Sequence, residues 1–368
     1  MNASDSLGPV IRRRGDLTRT QAALARGRLT VGFLGGSITD PSTGNRWPEP
    51  LVGWMAAAWP GARITVENAA LGATGSDLAA VRATPDIAAR GCDLVFVEYA
   101  VNDHGTEPAR RARTREGVLR QLLRAGASDV VLVYTYCPEM QADMLAGRVP
   151  ASIADFELLA EHYGLSSVWM GLHSLREVQR GVMTWEEWLP DGLHPESRGS
   201  LSYAQSVMAF LAEALARPAG TKAKRPKLPP ARTTGAWEHV SRVPFDAVER
   251  SGPWALRRSQ LCRGVDQLLT STAPGAGLKL KFKGRGLALG FDFGKSAGEI
   301  RYRVDGGKWT TTLRDCPAWA GVSGWLRAQV ISDTLKPGPH TFELETLPGA
   351  TAEVRGTRTA IGFFAAIG

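Results

Sequence analysis

Leu29-Thr30-Val31-Gly32-Phe33-Leu34-Gly35-Gly36-Ser37-Ile38-Thr39 is a short apolar run that ends in two glycines and a serine. Its first five residues, Leu29–Phe33, have the length and composition of a buried strand. The paired glycines permit a sharp turn that leaves Ser37 at the strand's carboxyl end. In open α/β sheets that edge is where ligands bind. Alone the motif says little, because Gly-Ser turns after strands are common and most do no chemistry.

Working outward, from Arg28 to about Ala216 short apolar runs alternate with stretches of helical period, the pattern of a parallel sheet covered by helices. Strands are expected at Leu29–Phe33, Arg63–Asn68, Leu94–Tyr99, Asp129–Tyr136 and Ser167–Met170. Helices are expected at Pro50–Ala58, Asp77–Ala89, Glu107–Ala125, Ile153–Tyr163 and Pro195–Ala216. Residues 1–27 are then an N-terminal extension, 28–216 the first domain, and 217–235 a linker marked by Pro218, Pro226, Pro229 and Pro230. Beyond it, at 236–368, alternating strands are expected at Leu278–Phe282, Leu287–Phe293, Ile300–Val304, Trp309–Leu313 and Thr341–Glu345. Asp305-Gly306-Gly307 supplies a tight hairpin, and the whole reads as an antiparallel β-sandwich of jelly-roll type.

The composition agrees with a folded two-domain protein: hydrophobic residues make up 43% and charged residues 22% of 368, too apolar for a disordered chain. No stretch approaches the roughly 20 apolar residues of a membrane-spanning helix, so no membrane partner is expected. The N-terminus has a basic patch without an apolar h-region, which leads us to expect a cytoplasmic protein. Lys and Arg outnumber Asp and Glu by 44 to 36. Part of that excess sits in Lys222-Ala-Lys-Arg-Pro-Lys227, which allows a mild attraction to anionic polymers but does not call for a nucleic-acid partner. Cys92, Cys137, Cys262 and Cys316 form no C-x-x-C pair and read as reduced structural thiols.

Three further segments fall where the sheet edge and the last helix would bring them near Ser37. Asp191-Gly192-Leu193-His194-Pro195 precedes the last helix, and its spacing lets the carboxylate reach Nδ1 of the same imidazole while Nε2 faces outward as a general base. Asn68-Ala-Ala-Leu-Gly72 follows the second strand, and Val101-Asn102-Asp103-His104 the third. A backbone N–H at Gly72 and the amide of Asn102 are suitable donors for an oxyanion, alongside the N–H of Ser37. Taken singly, Gly72 is as well explained as a turn and Asn102 as a strand-end cap; in this order the four segments are far more specific. His162, His173, His239 and His340 have no aspartate at the same spacing. No H-E-x-x-H pattern suggests a metal site, no full G-x-G-x-x-G suggests a dinucleotide, and no G-x-S-x-G elbow suggests the α/β-hydrolase fold.

On these residues the chain resembles the SGNH, or GDSL-like, serine hydrolases, over roughly Arg28–Arg217. Ser37, Gly72, Asn102 and His194 match the four blocks, with Asp191 three residues before the histidine. The resemblance implies a flavodoxin-like three-layer domain, a catalytic Ser37–His194–Asp191 set, an oxyanion hole of Ser37, Gly72 and Asn102, and neither metal nor cofactor. Two positions depart from the pattern: Gly35-Gly36-Ser37-Ile38 lacks the aspartate of Gly-Asp-Ser-Leu, and Ala100 stands where a glycine is usual. The first departure favours the carbohydrate-esterase branch over the lipase-like one. The expected reaction is removal of O-acetyl groups from a carbohydrate or another small ester. The alternatives are a short-chain lipase or thioesterase, or a carbohydrate-binding protein with a vestigial hydrolase domain. Trp47, Trp188, Asp103 and His104 are candidates for substrate contact. Trp254, Trp309, Trp319 and Trp325 leave glycan binding, a structural role or a homo-oligomer interface open for the second domain.

Overall fold

Strands and helices alternate through the first part of the chain in the computed structural model, which describes residues 6–44, 46–125, 128–216, 228–258, 264–320 and 324–368. The strands are β1 (Ile11–Arg12), β2 (Arg28–Gly35), β3 (Arg63–Asn68), β4 (Leu94–Glu98), β5 (Asp129–Val133) and β6 (Ser167–Val168). The helices are α1 (Thr18–Ala25), α2 (Pro48–Ala58), α3 (Ser76–Asp86), α4 (Pro108–Ala125), α5 (Gln141–Leu145), α6 (Ala151–Tyr163), α7 (Met170–Gln179), α8 (Trp185–Trp188) and α9 (Ser197–Leu215). The chain divides by its contacts into residues 1–236 and 237–368.

In the first unit the sheet order is β1-β6-β5-β4-β2-β3, with β2 to β6 parallel and β1 antiparallel to β6. Counted from β2, the parallel strands run 2-1-3-4-5, the flavodoxin-like order, whose winding reverses between β2 and β4. Every residue of β4 is buried, which is why it reads as one apolar run without alternation. At the edge, β3 is largely open to solvent. Residues 1–27 read as an N-terminal extension in the sequence; their described part, from residue 6 on, adds a strand and a helix to this unit. Ile11 pairs with Val168, and Thr20 donates from its N–H and hydroxyl to Asp129 Oδ2, both at 2.8 Å.

The predicted linker departs in a similar way at its described end. Residues 217–227, with the basic run, lie outside the described residues. Further on, Arg120 donates to the Pro229 carbonyl, and Glu116 accepts from the N–H groups of Arg232 and Thr233. A buried carboxylate and a long guanidinium on α4 thus fasten a segment that has no apolar period of its own.

The second unit carries eleven antiparallel strands among the described residues: β7 (Val240–Val243), β8 (Glu249–Ser251), β9 (Ala255–Arg258), β10 (Gln267–Ser271), β11 (Gly277–Gly284), β12 (Gly286–Phe293), β13 (Glu299–Val304), β14 (Thr310–Thr311), β15 (Trp325–Ser332), β16 (Gly338–Leu347) and β17 (Thr359–Ile367). One sheet runs β15-β12-β17-β10-β9, with β7 also on β17, and the other runs β14-β13-β16-β11-β8. Leu278, Leu280 and Phe282 of β11, with Phe342 and Leu344 of β16, meet Leu289, Phe291, Ile361 and Phe364 between the sheets, so this unit is a β-sandwich. In β11 burial alternates strictly, whereas β12 and β17 are buried throughout. The sequence reading caught β11 and β12 and missed β17, where Gly362 and a run of alanines mask the strand.

Among the described residues no helix is long and apolar enough to cross a membrane. Cys92, Cys137 and Cys316 are free and buried; Cys262 lies outside the described residues.

Candidate active site

Ser37 follows β2 at the point where the sheet order reverses, and its Oγ lies 2.8 Å from His194 Nε2. On the other side of the ring, His194 Nδ1 is 2.7 Å from Asp191 Oδ2. Hydroxyl, imidazole and carboxylate therefore form one hydrogen-bonded line, in which Ser37 and His194 are 157 positions apart in the chain. The loop carrying the pair is held by its own side chain. Asp191 Oδ1 accepts from the N–H groups of Leu193 at 2.9 Å and His194 at 2.6 Å, an Asx turn of the kind short polar residues favour. Between them Gly192 takes φ of 82°, a conformation a residue with a Cβ adopts only under strain.

Partial burial pulls the Asp191 carboxyl upward, but hydrogen bonds from the N–H of His194, from its ring and from the N–H of Leu193 outweigh it and hold the acid at about 2. Asp191 thus stays ionised through the neutral range and orients the imidazole with Nε2 toward the serine. A second histidine-aspartate pair offers a contrast. His340 Nδ1 lies 2.6 Å from Asp305, yet its Nε2 meets the carbonyl of Lys336 at 2.8 Å rather than a hydroxyl. Hydrogen bonds first to Asp305 and then to that carbonyl push its pKa up, so this ring favours the protonated form and has no nucleophile to serve.

Asn102 reaches the nucleophile through Gly36. A Cβ built on Gly36 would stand 1.9 Å from Asn102 Oδ1 and 2.8 Å from Nδ2, so the amide occupies the space a side chain would fill, immediately before Ser37. We therefore expect Gly36→Ala to displace the amide and lower kcat on an ester by about a hundredfold, the loss typical of one oxyanion donor. Steady-state kinetics checks this, with an unchanged circular dichroism spectrum showing that the fold survives.

Gly72 departs from its predicted role in this structure. It lies beside Ser37, but its N–H donates to Asp40 Oδ2 at 2.8 Å. Asp40, buried three residues after the serine, also receives the N–H of Ser42. The Gly72 N–H must therefore leave Asp40 before it can serve an oxyanion.

Three of the four expected substrate contacts prove to be packing residues. Trp47 is buried, stacked edge-on with Phe33 and Phe96, and its Nε1 donates to Thr39. Trp188 is buried against Tyr136, Trp185 and Tyr203; its helix α8 begins with a capping box in which Thr184 and Glu187 exchange hydrogen bonds, as the spacing Thr-x-x-Glu favours. Asp103 is buried in an ion pair with Arg115 at 2.7 Å. Both tryptophans belong to the core because their large apolar rings gain more from burial than their single N–H loses. His104 remains partly exposed, two residues after Asn102.

Glu98 escaped the sequence reading although a charged residue interrupts the apolar run of β4 at its carboxyl end. Fully buried, it accepts from Thr135 Oγ1 at 2.8 Å, Thr39 Oγ1 at 3.2 Å and Gly36 N–H at 3.4 Å. Burial raises its pKa, and the three hydrogen bonds oppose that rise. It thereby braces the turn that carries Ser37 from beneath. Among the described residues no group of three or more His, Cys, Asp and Glu side chains is arranged to hold a metal ion.

Fold and site together define an open α/β unit with a Ser–His–Asp line at its switch point, followed by a β-sandwich. The whole chain is similar to a crystal structure of a two-domain esterase (CEX) active on acetylated mannans, with a TM-score of 0.81 and 23% identity over 99% of this chain and 98% of that one. The same esterase co-crystallised with mannopentaose matches with a TM-score of 0.80 and 23% identity over 99% and 97% of the two chains. An acetylxylan esterase from Geobacillus stearothermophilus aligns with 53% of this chain and 97% of its own, at 19% identity and a TM-score of 0.38. No family model and no curated protein matches the chain. The full-length likeness establishes the two-part fold.

Proposed function

We propose that this protein is a serine esterase that removes O-acetyl groups from a carbohydrate. The observation that carries the reading is the continuous hydrogen-bonded line from Ser37 Oγ through His194 to Asp191. In it, His194 Nε2 takes the proton as Ser37 Oγ attacks the acetyl carbonyl, and Asp191 stabilises the imidazolium that forms. The oxyanion is assigned to the Ser37 N–H and the Asn102 amide, with Gly72 N–H joining them once it leaves Asp40. Collapse of the tetrahedral species breaks the bond to the sugar oxygen, which takes the proton from His194 and leaves as a hydroxyl. The same imidazole then activates water to release acetate and regenerate the serine.

The carbohydrate part of the reading is supported by the whole-chain similarity to an esterase active on acetylated mannans, and by the Gly35-Gly36-Ser37 form of the nucleophile block. Stacking on Trp47 or Trp188 plays no part in it, since both rings are buried. A panel of acetylated mannan, acetylated xylan, acyl thioesters and longer acyl esters tests the reading by acid release, with Ser37→Ala as the blank. We expect acetate from at least one acetylated glycan at a rate well above the others. Preference for thioesters or long acyl chains, or equal release across the panel, would withdraw the carbohydrate substrate and leave only the esterase class, and release no greater than the Ser37→Ala blank would withdraw the esterase.

A further inference from the structure

Between the nucleophile loop and the histidine loop lies a buried cation that the proposed chemistry does not use. Arg46 precedes α2, is 8% exposed, and donates from Nη1 to the carbonyl of Pro195 at 2.5 Å. Pro195 directly follows His194 and leads through Glu196 into α9, and α2 packs against α9. One guanidinium therefore joins the roots of two packed helices, one behind Ser37 and the other behind His194. An open cleft of about 350 Å³ is bordered by Arg46, Asp191, His194 and Glu196.

The charges around Arg46 are one-sided. Burial pulls the Arg46 pKa down and outweighs the three carboxylates that oppose it, Asp191 on the histidine loop, Glu196 at the start of α9 and Asp40 on the nucleophile loop. Asp191 contacts the imidazole at 2.7 Å, and Glu196 borders the same cleft as His194 and Arg46. Loss of the Arg46 cation leaves that carboxylate charge uncompensated, and uncompensated negative charge beside an imidazole favours the protonated ring, which cannot accept the serine proton.

Resting on the esterase reading above, we infer that Arg46 is a positioning residue: it clamps the Asp191–His194 loop against the Ser37 loop through the Pro195 carbonyl, and its charge keeps His194 available as a base. Arginine suits the task because it stays charged when buried and offers several donors in one rigid plane.

The test uses Arg46→Gln and Arg46→Lys in the full chain, with 4-nitrophenyl acetate as the probe. For Arg46→Gln we expect kcat/KM at pH 7 to fall about 10- to 100-fold, the scale of a small misplacement of a catalytic group. The acidic limb of its pH profile should move upward by about half a pH unit to one, because a lost cation favours the imidazolium. Arg46→Lys retains the charge and should keep the limb within about 0.2 of the wild-type position, with a smaller loss of rate. Imidazole NMR of His194 provides a readout that needs no turnover: its titration should move upward in Arg46→Gln and hold in Arg46→Lys. An unmoved limb and titration in folded Arg46→Gln overturn the inference. If Arg46→Gln fails to fold, a limb that moves upward in Arg46→Lys overturns it instead. A wild-type protein without Ser37-dependent hydrolysis sinks the esterase reading, and the NMR titration then decides the role of Arg46 separately.

Discussion

Ser37→Ala is expected to abolish measurable turnover, lowering kcat on an acetyl ester by about 10⁴-fold or more, and His194→Ala to do the same. The two residues act as one unit, because the hydroxyl has no strong nucleophilicity until the imbalance of charge in the attack is relieved by proton transfer to Nε2, 2.8 Å away. Combining both substitutions should therefore cost little more than either alone. Neither side chain is a core residue: Ser37 and His194 are only partly buried. Thermal melting should accordingly stay within a few degrees of the parent, which separates a chemical loss from unfolding. Turnover near the parent value in either variant, with the fold intact, would refute the assignment of the nucleophile and base.

Asp103→Ala is expected to act in the opposite sense, destabilising the first unit by about 3–5 kcal/mol, the usual cost of leaving a buried partner charge uncompensated. Arg115 is fully buried and gives Asp103 its Nε at 2.7 Å. Its other nitrogens are committed to the Ser152 carbonyl, the Ser152 hydroxyl and the Tyr99 carbonyl, and its plane lies 4.0 Å from the Phe156 ring. Asp103 also accepts the N–H of Ser76, at the start of α3, so one carboxylate ties α3 to α4 beside Asn102. Urea unfolding measures the loss. A change below about 1 kcal/mol, the range of exposed ion pairs, would overturn this role of Asp103 in the fold.

This residue illustrates how the sequence reading falls short. Asp103 and His104 sit next to Asn102, and adjacency in the chain placed both in the candidate pocket. At a turn, however, neighbouring side chains point in different directions. Asn102 lies against Gly36, while Asp103 goes inward to Arg115, twelve residues on and about two turns into α4. Trp47 and Trp188 were misplaced for a related reason: an indole near a catalytic motif serves equally well as a stacking surface or as core, and only the surrounding packing distinguishes the two. Glu98 and Arg46 went unnoticed because the partners that make them informative, Gly36 and Thr39 in one case and Pro195 in the other, are distant in sequence.

By itself the sequence determined the parallel α/β unit and the sandwich that follows it, and picked out Ser37, Asp191 and His194 as candidates, because hydrophobic periodicity and short-range spacing are local properties of a chain. Even the Asp191–His194 contact is local, made within four residues around Gly192. The tertiary structure alone decided which carboxylate receives the Gly72 N–H, where the aromatic rings go, how Ile11–Arg12 extend the sheet, and which buried charges brace the site. Those outcomes depend on which long-range partner wins a competition for burial and hydrogen bonds, and no spacing along the chain encodes that competition.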